Sequence, residues 1–473
     1  MTKISRANFL KIALLASAYT LIKGCKNSNQ PDNTAKAQAT KSSQTQVIVV
    51  GAGVAGLSAA RKLQQQKYSV IVLEGRNRIG GRVWTDKTWQ DAPIDMGASW
   101  IHGIKDNPIY DLAQKLKIST LPTDYDSISL YNSQGKLLTN KEKELIQNRY
   151  FKTIKQLNKL RQSMMDGEKK DISLQAAVER IIADADYSEQ QLIELNHAIN
   201  AEIEHEYGAD IANLSSFYYD NGGEFGGEDV LFPGGYDQII QAIAADLDIR
   251  LSQIVEKVSH NQQGVKITTN QGIFEAERAI ITLPLGVLKK GSVEFSPPLP
   301  PRKQKAISNL GMGVLNKVYL RFPKVFWPRN TDLIGRISAN KGEWAEWVNI
   351  FKYTGKPILL AFNAGKYGLE IEKFSEQEIV QQAMTALRSI YGENIPEPES
   401  WKIVKWAADT FAGGSYSYIP PGASEKDYSA LAEPIANRLF FAGEATSRKY
   451  SASVHGAFLS GEREAKKIIA IRT

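Results

Sequence analysis

Val47-Ile48-Val49-Val50-Gly51-Ala52-Gly53-Val54-Ala55-Gly56 runs four apolar residues straight into a glycine turn. The apolar tetrad predicts a buried parallel strand. Gly51 permits a tight turn, Gly53 lets the backbone approach a pyrophosphate, and Gly56 lets the next helix pack on the strand; Ala55 belongs to the same cofactor-binding turn. A helix from about Leu57 to Gln66 then aims its N-terminal amides and positive dipole end at the phosphates. Val70-Ile71-Val72-Leu73 reads as the second strand, closed by Glu74 where a ribose hydroxyl pair would sit. Glu74 lies 18 residues beyond Gly56, close to the roughly 20 of the dinucleotide fingerprint. An acid there favours a free ribose over a 2′-phosphate. The motif leaves FAD and NAD open.

The chain has 473 residues, too many for one ordinary core, so two domains are expected. Hydrophobic content of 42% and charged content of 23% are those of a globular protein. The net charge of +7 suggests nucleic acid until it is located. Before Val47 stand Lys3, Arg6, Lys11, Lys23, Lys26, Lys36 and Lys41 against Asp32 alone, which leaves the body with a net charge near zero. No long basic stripe occurs there, so a nucleic-acid partner is not expected.

The basic start reads as targeting. Lys3, Arg6 and Lys11 flank the beginning of an apolar run, Ile12 to Ile22. That run is shorter than the roughly 20 residues of a membrane-spanning helix but fits a signal-peptide core. Ser5-Arg6-Ala7-Asn8-Phe9-Leu10-Lys11 resembles a twin-arginine export signal with its second arginine replaced by alanine. Cys25 follows Leu21-Ile22-Lys23-Gly24 and resembles a lipoprotein processing site. Residues 1–25 are therefore expected to be a signal or lipoprotein-like segment and 26–45 a disordered linker. The protein would be exported, to the periplasm or as a lipoprotein anchored to the membrane through Cys25. Because Cys25 is the only cysteine, the body holds no internal disulfide and no thiol chemistry.

Beyond Glu74, Arg76 and Arg82 sit in a basic glycine loop, Gly75 to Arg82, suited to bidentate contact with phosphate. Asp95-Met96-Gly97-Ala98-Ser99-Trp100-Ile101-His102-Gly103 follows, small residues ending in aromatic and imidazole groups. From Asn107 to about Tyr207 the pattern turns helical, with Leu145, Tyr150, Ile154, Leu157 and Leu160 expected on a core face. Strand signals resume at Ile249–Leu251, Val255–Val258, Val265–Thr269 and Ile280–Leu283. A second sheet is expected from Val318–Phe322, Ile334–Ile337, Trp344–Phe351 and Ile358–Asn363. Phe440-Phe441-Ala442-Gly443-Glu444 reads as a buried strand ending in an acid, and Val454 to Ile469 as a final helix rich in small residues at its start.

Several of these segments, in order and spread over the whole body, resemble the flavin-dependent amine oxidases. That group includes polyamine oxidases, monoamine oxidases and the lysine-specific histone demethylase. The matching stretches are Val47–Leu57, Glu74–Arg82, Gly97–Gly103 with Asn107–Tyr110, Phe232–Tyr236, Leu283–Leu288, Asn316–Val318, Gly414–Tyr418 and Phe440–Ala465. The resemblance implies an α/β protein. In it a Rossmann-type FAD-binding domain (46–105, 228–295 and 404–473) is interleaved with an α+β substrate domain (106–227 and 296–403). Glu74 would hold the adenosine ribose, Arg82 and the glycine turn the pyrophosphate, and Val255 the adenine side. Glu444, beside Gly443, would face the ribityl–pyrophosphate region and Val454 the pyrimidine edge of the flavin. Gly97, Ala98, Ser99 and Trp100 would also touch the cofactor, with Trp406 packed near the flavin ring.

The implied reaction is two-electron oxidation of a carbon–nitrogen bond of a small amine, with dioxygen reoxidising the flavin to give hydrogen peroxide. Lys317 matches the lysine that reaches the flavin N5 through a water, and it stands in an otherwise apolar strand. Tyr416 and Tyr450 match a pair of aromatic walls around the amine; plain core packing is the competing reading. His102 matches a substrate-facing position of polyamine oxidases and could accept or donate a hydrogen bond. Ser415 stands where monoamine oxidases carry the cysteine that bonds FAD, so a non-covalent flavin is expected. No metal site is expected. Glu202, Glu204, Glu206, Glu224, Glu228 and Asp229 form an acidic group that would concentrate cations, unless it is merely a solvated face. An L-amino-acid oxidase of the same fold, a silent flavin-binding module and an NAD-linked reductase are the rival readings.

Overall fold

The computed structural model describes residues 46–472; the segments read as signal, anchor and linker, with Cys25, lie outside the described residues. Val47–Val50 forms the centre of a five-stranded parallel sheet, ordered Leu439–Phe441, Arg278–Ile281, Val47–Val50, Val70–Leu73, Asp248–Arg250. Its inner strands are apolar because both faces are covered, whereas the edge strand Asp248–Arg250 is largely exposed. On one face lie the helix Val54–Gln65 and the last helix, Val454–Arg472, which touch so closely that a Cβ on Gly461 would stand 2.0 Å from the Ala55 carbonyl. Gly56 does the same job inward, where a Cβ would fall 1.9 Å from the Gly51 oxygen. The other face packs Ile48, Val50 and Phe441 against Val258 and Ile267 of a four-stranded sheet of residues 255–276 and 294–296.

A six-stranded sheet organises the second unit, in the order Ser400–Val404, Leu315–Arg321, Ile358–Ala364, Glu346–Asn349, Leu333–Arg336, Ile128–Tyr131. Every pair is antiparallel except the last. Ile128–Tyr131 belongs to a stretch expected to be helical; its four residues carry too short an alternation to stand out against the helices around it. One face of this sheet packs Val318 and Leu320 against Ile379, Ala383 and Leu387 of the helix Glu376–Tyr391. Burying each such Leu or Ile contributes about 2 kcal/mol. The opposite face turns to the nucleotide unit.

Helices Asn140–Asp166, Leu174–Ile182 and Glu189–Ile199 roof that opposite face. Thr139 with Glu142, and Ser188 with Gln191, form capping boxes that set where two of them begin. On the first, Ile146 faces inward, whereas Leu145, expected in the core, is exposed; a one-residue step rotates a helical side chain by about 100°. The helix Glu189–Ile199 runs into one turn of π-helix, Asn200–Glu204.

Candidate active site

A cavity of about 1200 Å³ runs between the two units, from Gly51, Glu74 and Val255 at one end to Lys317, Phe362 and Tyr416 at the other. At the first end the backbone does most of the work. Glu74 is buried at the end of its strand, where Oε2 accepts the Ala52 amide at 2.8 Å and Oε1 the Arg76 amide at 2.9 Å. Gly53 caps the helix Val54–Gln65 without any side-chain bond, and a Cβ there would meet nothing within 4 Å. Gly443 is equally open, at φ +136°. Val255 and Ala55 also line this end, and Val454 lines it at the start of the last helix. An open glycine backbone at a helix N-terminus, with a fixed acid at the neighbouring strand end, fits a dinucleotide.

Six positions expected to touch cofactor take different or additional duties. Gly56 does not line the cavity; it lets the helix contact its own strand. The Arg76 guanidinium, expected on phosphate, is instead clamped bidentately by Asp409 at 2.6 and 3.0 Å. Arg82 and Glu444 bind each other at 2.9 Å; Arg82 also donates to the Ser415 carbonyl, and Glu444 accepts the Ser417 hydroxyl at 2.6 Å. Both still line the cavity. Gly97 permits a close crossing, since a Cβ would stand 1.8 Å from the Arg82 oxygen, and Ala98 donates its amide to that oxygen.

Lys317 points inward from its strand and is buried. Its ammonium donates to the Asp95 carbonyl at 2.8 Å, the Gly97 carbonyl at 2.5 Å and the Ser99 hydroxyl at 2.5 Å. Burial pushes its pKa down to about 7, with the Asp95 charge acting the other way. Asp95 is pushed up to about 6 by burial, against the Thr85 hydroxyl and the Tyr236 amide. Trp406 is buried on the same wall, its indole donating to the Met96 carbonyl, and Trp100 lines the cavity with its indole on Thr123.

Of the two aromatic walls, the cavity has one. Tyr416 lines it, held by a 2.7 Å bond from its hydroxyl to the His205 carbonyl. Tyr450 does not: its ring stacks on Phe225 (4.7 Å, 12°) and meets the edge of His455. The turn Tyr450–Ser453, closed by the Ser453 hydroxyl on the Tyr450 carbonyl, brings Ser453 and Val454 to the cavity in its place.

His102 lines the cavity and binds Asp229 at 2.8 Å through Nδ1; Asp229 also takes the Gly103 amide and the Tyr125 hydroxyl. Burial lowers the His102 pKa, but the Asp229 carboxylate outweighs it and lifts the group to about 9. That carboxylate favours the imidazolium form of His102, in which both ring nitrogens donate rather than accept. Burial and that neighbouring charge hold His455 down at about 3.

The acidic group divides. Glu204 is buried in structural bonds to Asn200, the Ile211 amide and Lys341. Glu228 is exposed and does not line the cavity, whereas Glu202, Glu206 and Glu224 do. Sequence reasoning missed Phe362, Glu346, His205 and Phe225. The only available signal was an acid embedded in Trp344-Ala345-Glu346-Trp347-Val348, a strand otherwise apolar.

The family model for flavin containing amine oxidoreductase matches residues 54–469. The chain belongs to that family. By its description, that family comprises flavin-containing oxidoreductases of amines. Among similar proteins, lysine-specific histone demethylase 1 homolog 2 of Arabidopsis thaliana is 39% identical over 440 residues, covering 90% of this chain and 58% of the relative. Polyamine oxidase 2 of the same plant is 36% identical over 437 residues, covering 89% and 87%. The chain spans about half the length of the demethylase relatives. A putrescine oxidase variant with redesigned cofactor binding shares the fold at a TM-score of 0.75 and 21% identity, over 90% of this chain and 99% of that one. In this family member the glycine turn, Glu74, Val255 and Val454 would hold the FAD nucleotide, and Gly97 to Trp100, Lys317 and Trp406 its ring.

Proposed function

We propose that the protein oxidises a small primary or secondary amine, with dioxygen as electron acceptor, giving an imine (hydrolysed to an aldehyde) and hydrogen peroxide. The observation that carries this is Lys317, a buried amine donor where the nucleotide cradle meets the apolar faces of Phe362, Trp406 and Tyr416. Bound FAD supplies the two-electron oxidant. The chain supplies the conditions for its use. Aromatic faces exclude water and favour the uncharged amine. Lys317, fixed on Asp95, Gly97 and Ser99, holds a proton-bearing nitrogen at the reacting edge. Glu202, Glu206 and Glu224 raise the local concentration of cations.

A small-molecule amine is favoured over an amino acid by the arginines. Each guanidinium that lines the cavity is paired with a carboxylate: Arg76 with Asp409, Arg82 with Glu444 and Arg448 with Glu425. None is left to clamp a substrate carboxylate. Ser415, whose hydroxyl accepts the Leu315 amide at 2.8 Å, supports a non-covalent flavin. The test is peroxide release by the purified yellow protein with spermine, spermidine, putrescine, tyramine and several amino acids. Turnover of amines is expected; turnover of amino acids alone, or of none, would overturn the reading. Export, with a lipid on Cys25, is proposed from residues 1–25, and fractionation with labelled palmitate tests it.

A further inference from the structure

Asp332, the residue before the strand Leu333–Arg336, is a carboxylate with 0% exposure that the handling of the amine does not use. The exposed Lys352 pairs with it, and the Tyr353 hydroxyl donates to its Oδ1 at 2.6 Å. The Tyr353 oxygen lies 3.0 Å from the Thr123 hydroxyl, and the Trp100 indole nitrogen donates to that same hydroxyl at 2.8 Å. Thr123 and Tyr353 are buried. Of these side chains only Trp100 lines the cavity.

The two ends of this chain fix every proton between them. An indole N–H only donates, and a carboxylate beside a lysine only accepts. Tyr353 gives its single proton to Asp332, so its oxygen accepts from Thr123. Thr123, its own proton given to Tyr353, accepts from Trp100. Burial and the bond to Asp332 both push the Tyr353 pKa up, so the hydroxyl keeps its proton. Head-to-tail bonds of this kind polarise one another. The middle is anchored by the Thr123 amide, which donates to the Asp229 carbonyl at 3.0 Å. At the cavity end the indole is tilted 57° to Phe362 at 5.9 Å and stands 5.8 Å from the Lys317 nitrogen. Its strand, Trp100–Ile101, is two residues long and pairs with Val230–Leu231. That pairing sets where Trp100 lies but not how its ring turns.

We propose that Asp332, acting through Tyr353 and Thr123, is a positioning residue that holds the plane of the Trp100 indole at the reacting end of the cavity. The consequence for substrate rests on the amine-oxidation reading above. An indole held at one angle presents one face to an amine beside Lys317. A cut in the chain leaves a donor without its acceptor in a buried place, and the ring turns to find another. The nucleotide cradle shares none of these residues, so the flavin stays bound while the amine loses its contact.

The experiment is a mutant cycle on the flavin-loaded enzyme, with KM and kcat measured separately for the best amine. Thr123→Val should raise KM about five- to tenfold with kcat within about twofold, the signature of one lost aromatic contact with the amine. Thr123→Ser, which keeps the hydroxyl, should restore the parent KM. Tyr353→Phe and Asp332→Asn should move KM in the same direction as Thr123→Val. In a Trp100→Phe background, which has no indole N–H, none of the three should change KM further. An unchanged KM in Thr123→Val, or an equal rise in the Trp100→Phe background, overturns the assignment while amine oxidation stands. If Asp332→Asn fails to fold, Tyr353→Phe decides for that end; if Trp100→Phe loses flavin, the contrast of Thr123→Ser with Thr123→Val decides. Absence of turnover with every amine overturns the amine-oxidation reading alone. The cycle is then read by near-ultraviolet circular dichroism, where Thr123→Val should alter the indole signal of the parent and not that of Trp100→Phe; no alteration overturns the positioning role.

Discussion

The two ends of the cavity are built by opposite means. At the nucleotide end, backbone amides, glycines without a Cβ and one acid at a strand end are drawn largely from the short stretch Gly51 to Arg82. At the substrate end, Lys317, Phe362, Glu346, His205 and Tyr416 converge from different strands and turns. The first end is a local conformation; the second exists only after the sheet and its roof have assembled. Mutations should therefore fail differently at the two ends: by collapse at one and by loss of chemistry at the other.

The sharpest contrast is between Gly56 and Lys317. Gly56→Val places carbon within 2 Å of a backbone oxygen that cannot move aside. A loss of about 3 kcal/mol or more is expected, seen as a lower unfolding temperature and poor flavin retention. Lys317→Met, which leaves the nucleotide cradle intact, should slow turnover about 10²- to 10³-fold while the protein stays yellow. A colourless Lys317→Met protein would break the contrast.

Next in size is Glu74→Gln. It should weaken FAD binding about tenfold, measured by flavin fluorescence on dilution, because both carboxylate oxygens already serve backbone donors. A pH effect follows from His102. Its folded pKa, about 9, lies above its ordinary value. The stabilisation is therefore fully present below about pH 6.5 and is lost as pH rises through about 9. The difference in unfolding temperature between the parent and His102→Gln should be largest near pH 6 and shrink by about pH 9.5. A constant difference would show that Asp229 does not hold the charge. Smallest of all, Tyr450→Phe should change kcat/KM by about twofold or less, since its ring stacks behind Phe225 rather than in the cavity.

The parallel sheet was legible from sequence because Val47–Val50 and Val70–Leu73 are apolar runs closed by glycine and by an acid, and Glu74 lies at a fixed distance from the turn. Lys317 was legible as a charge within an apolar strand. Tyr450 was misread because a residue type carries no direction: the same ring serves a cavity wall or a stack depending on one turn of backbone. Arg76 was misread because its partner, Asp409, is 333 residues away. Glu346 and His205 were invisible because their proximity depends on strand register and on a π-helical turn, neither of which leaves a periodic trace.

The contact of Gly461 with Ala55, and of Leu439–Phe441 with Arg278–Ile281, has a consequence for biogenesis. The helix Val54–Gln65 and the strand Arg278–Ile281 therefore close only against segments translated later. A chain truncated before Leu439 would expose the edge of Arg278–Ile281 and the flank of Val54–Gln65, so synthesis of Leu439–Arg472 precedes closure of this unit. Flavin capture accordingly follows that step, and pulse-labelled nascent chains should remain protease-sensitive until Leu439–Arg472 has left the exit tunnel.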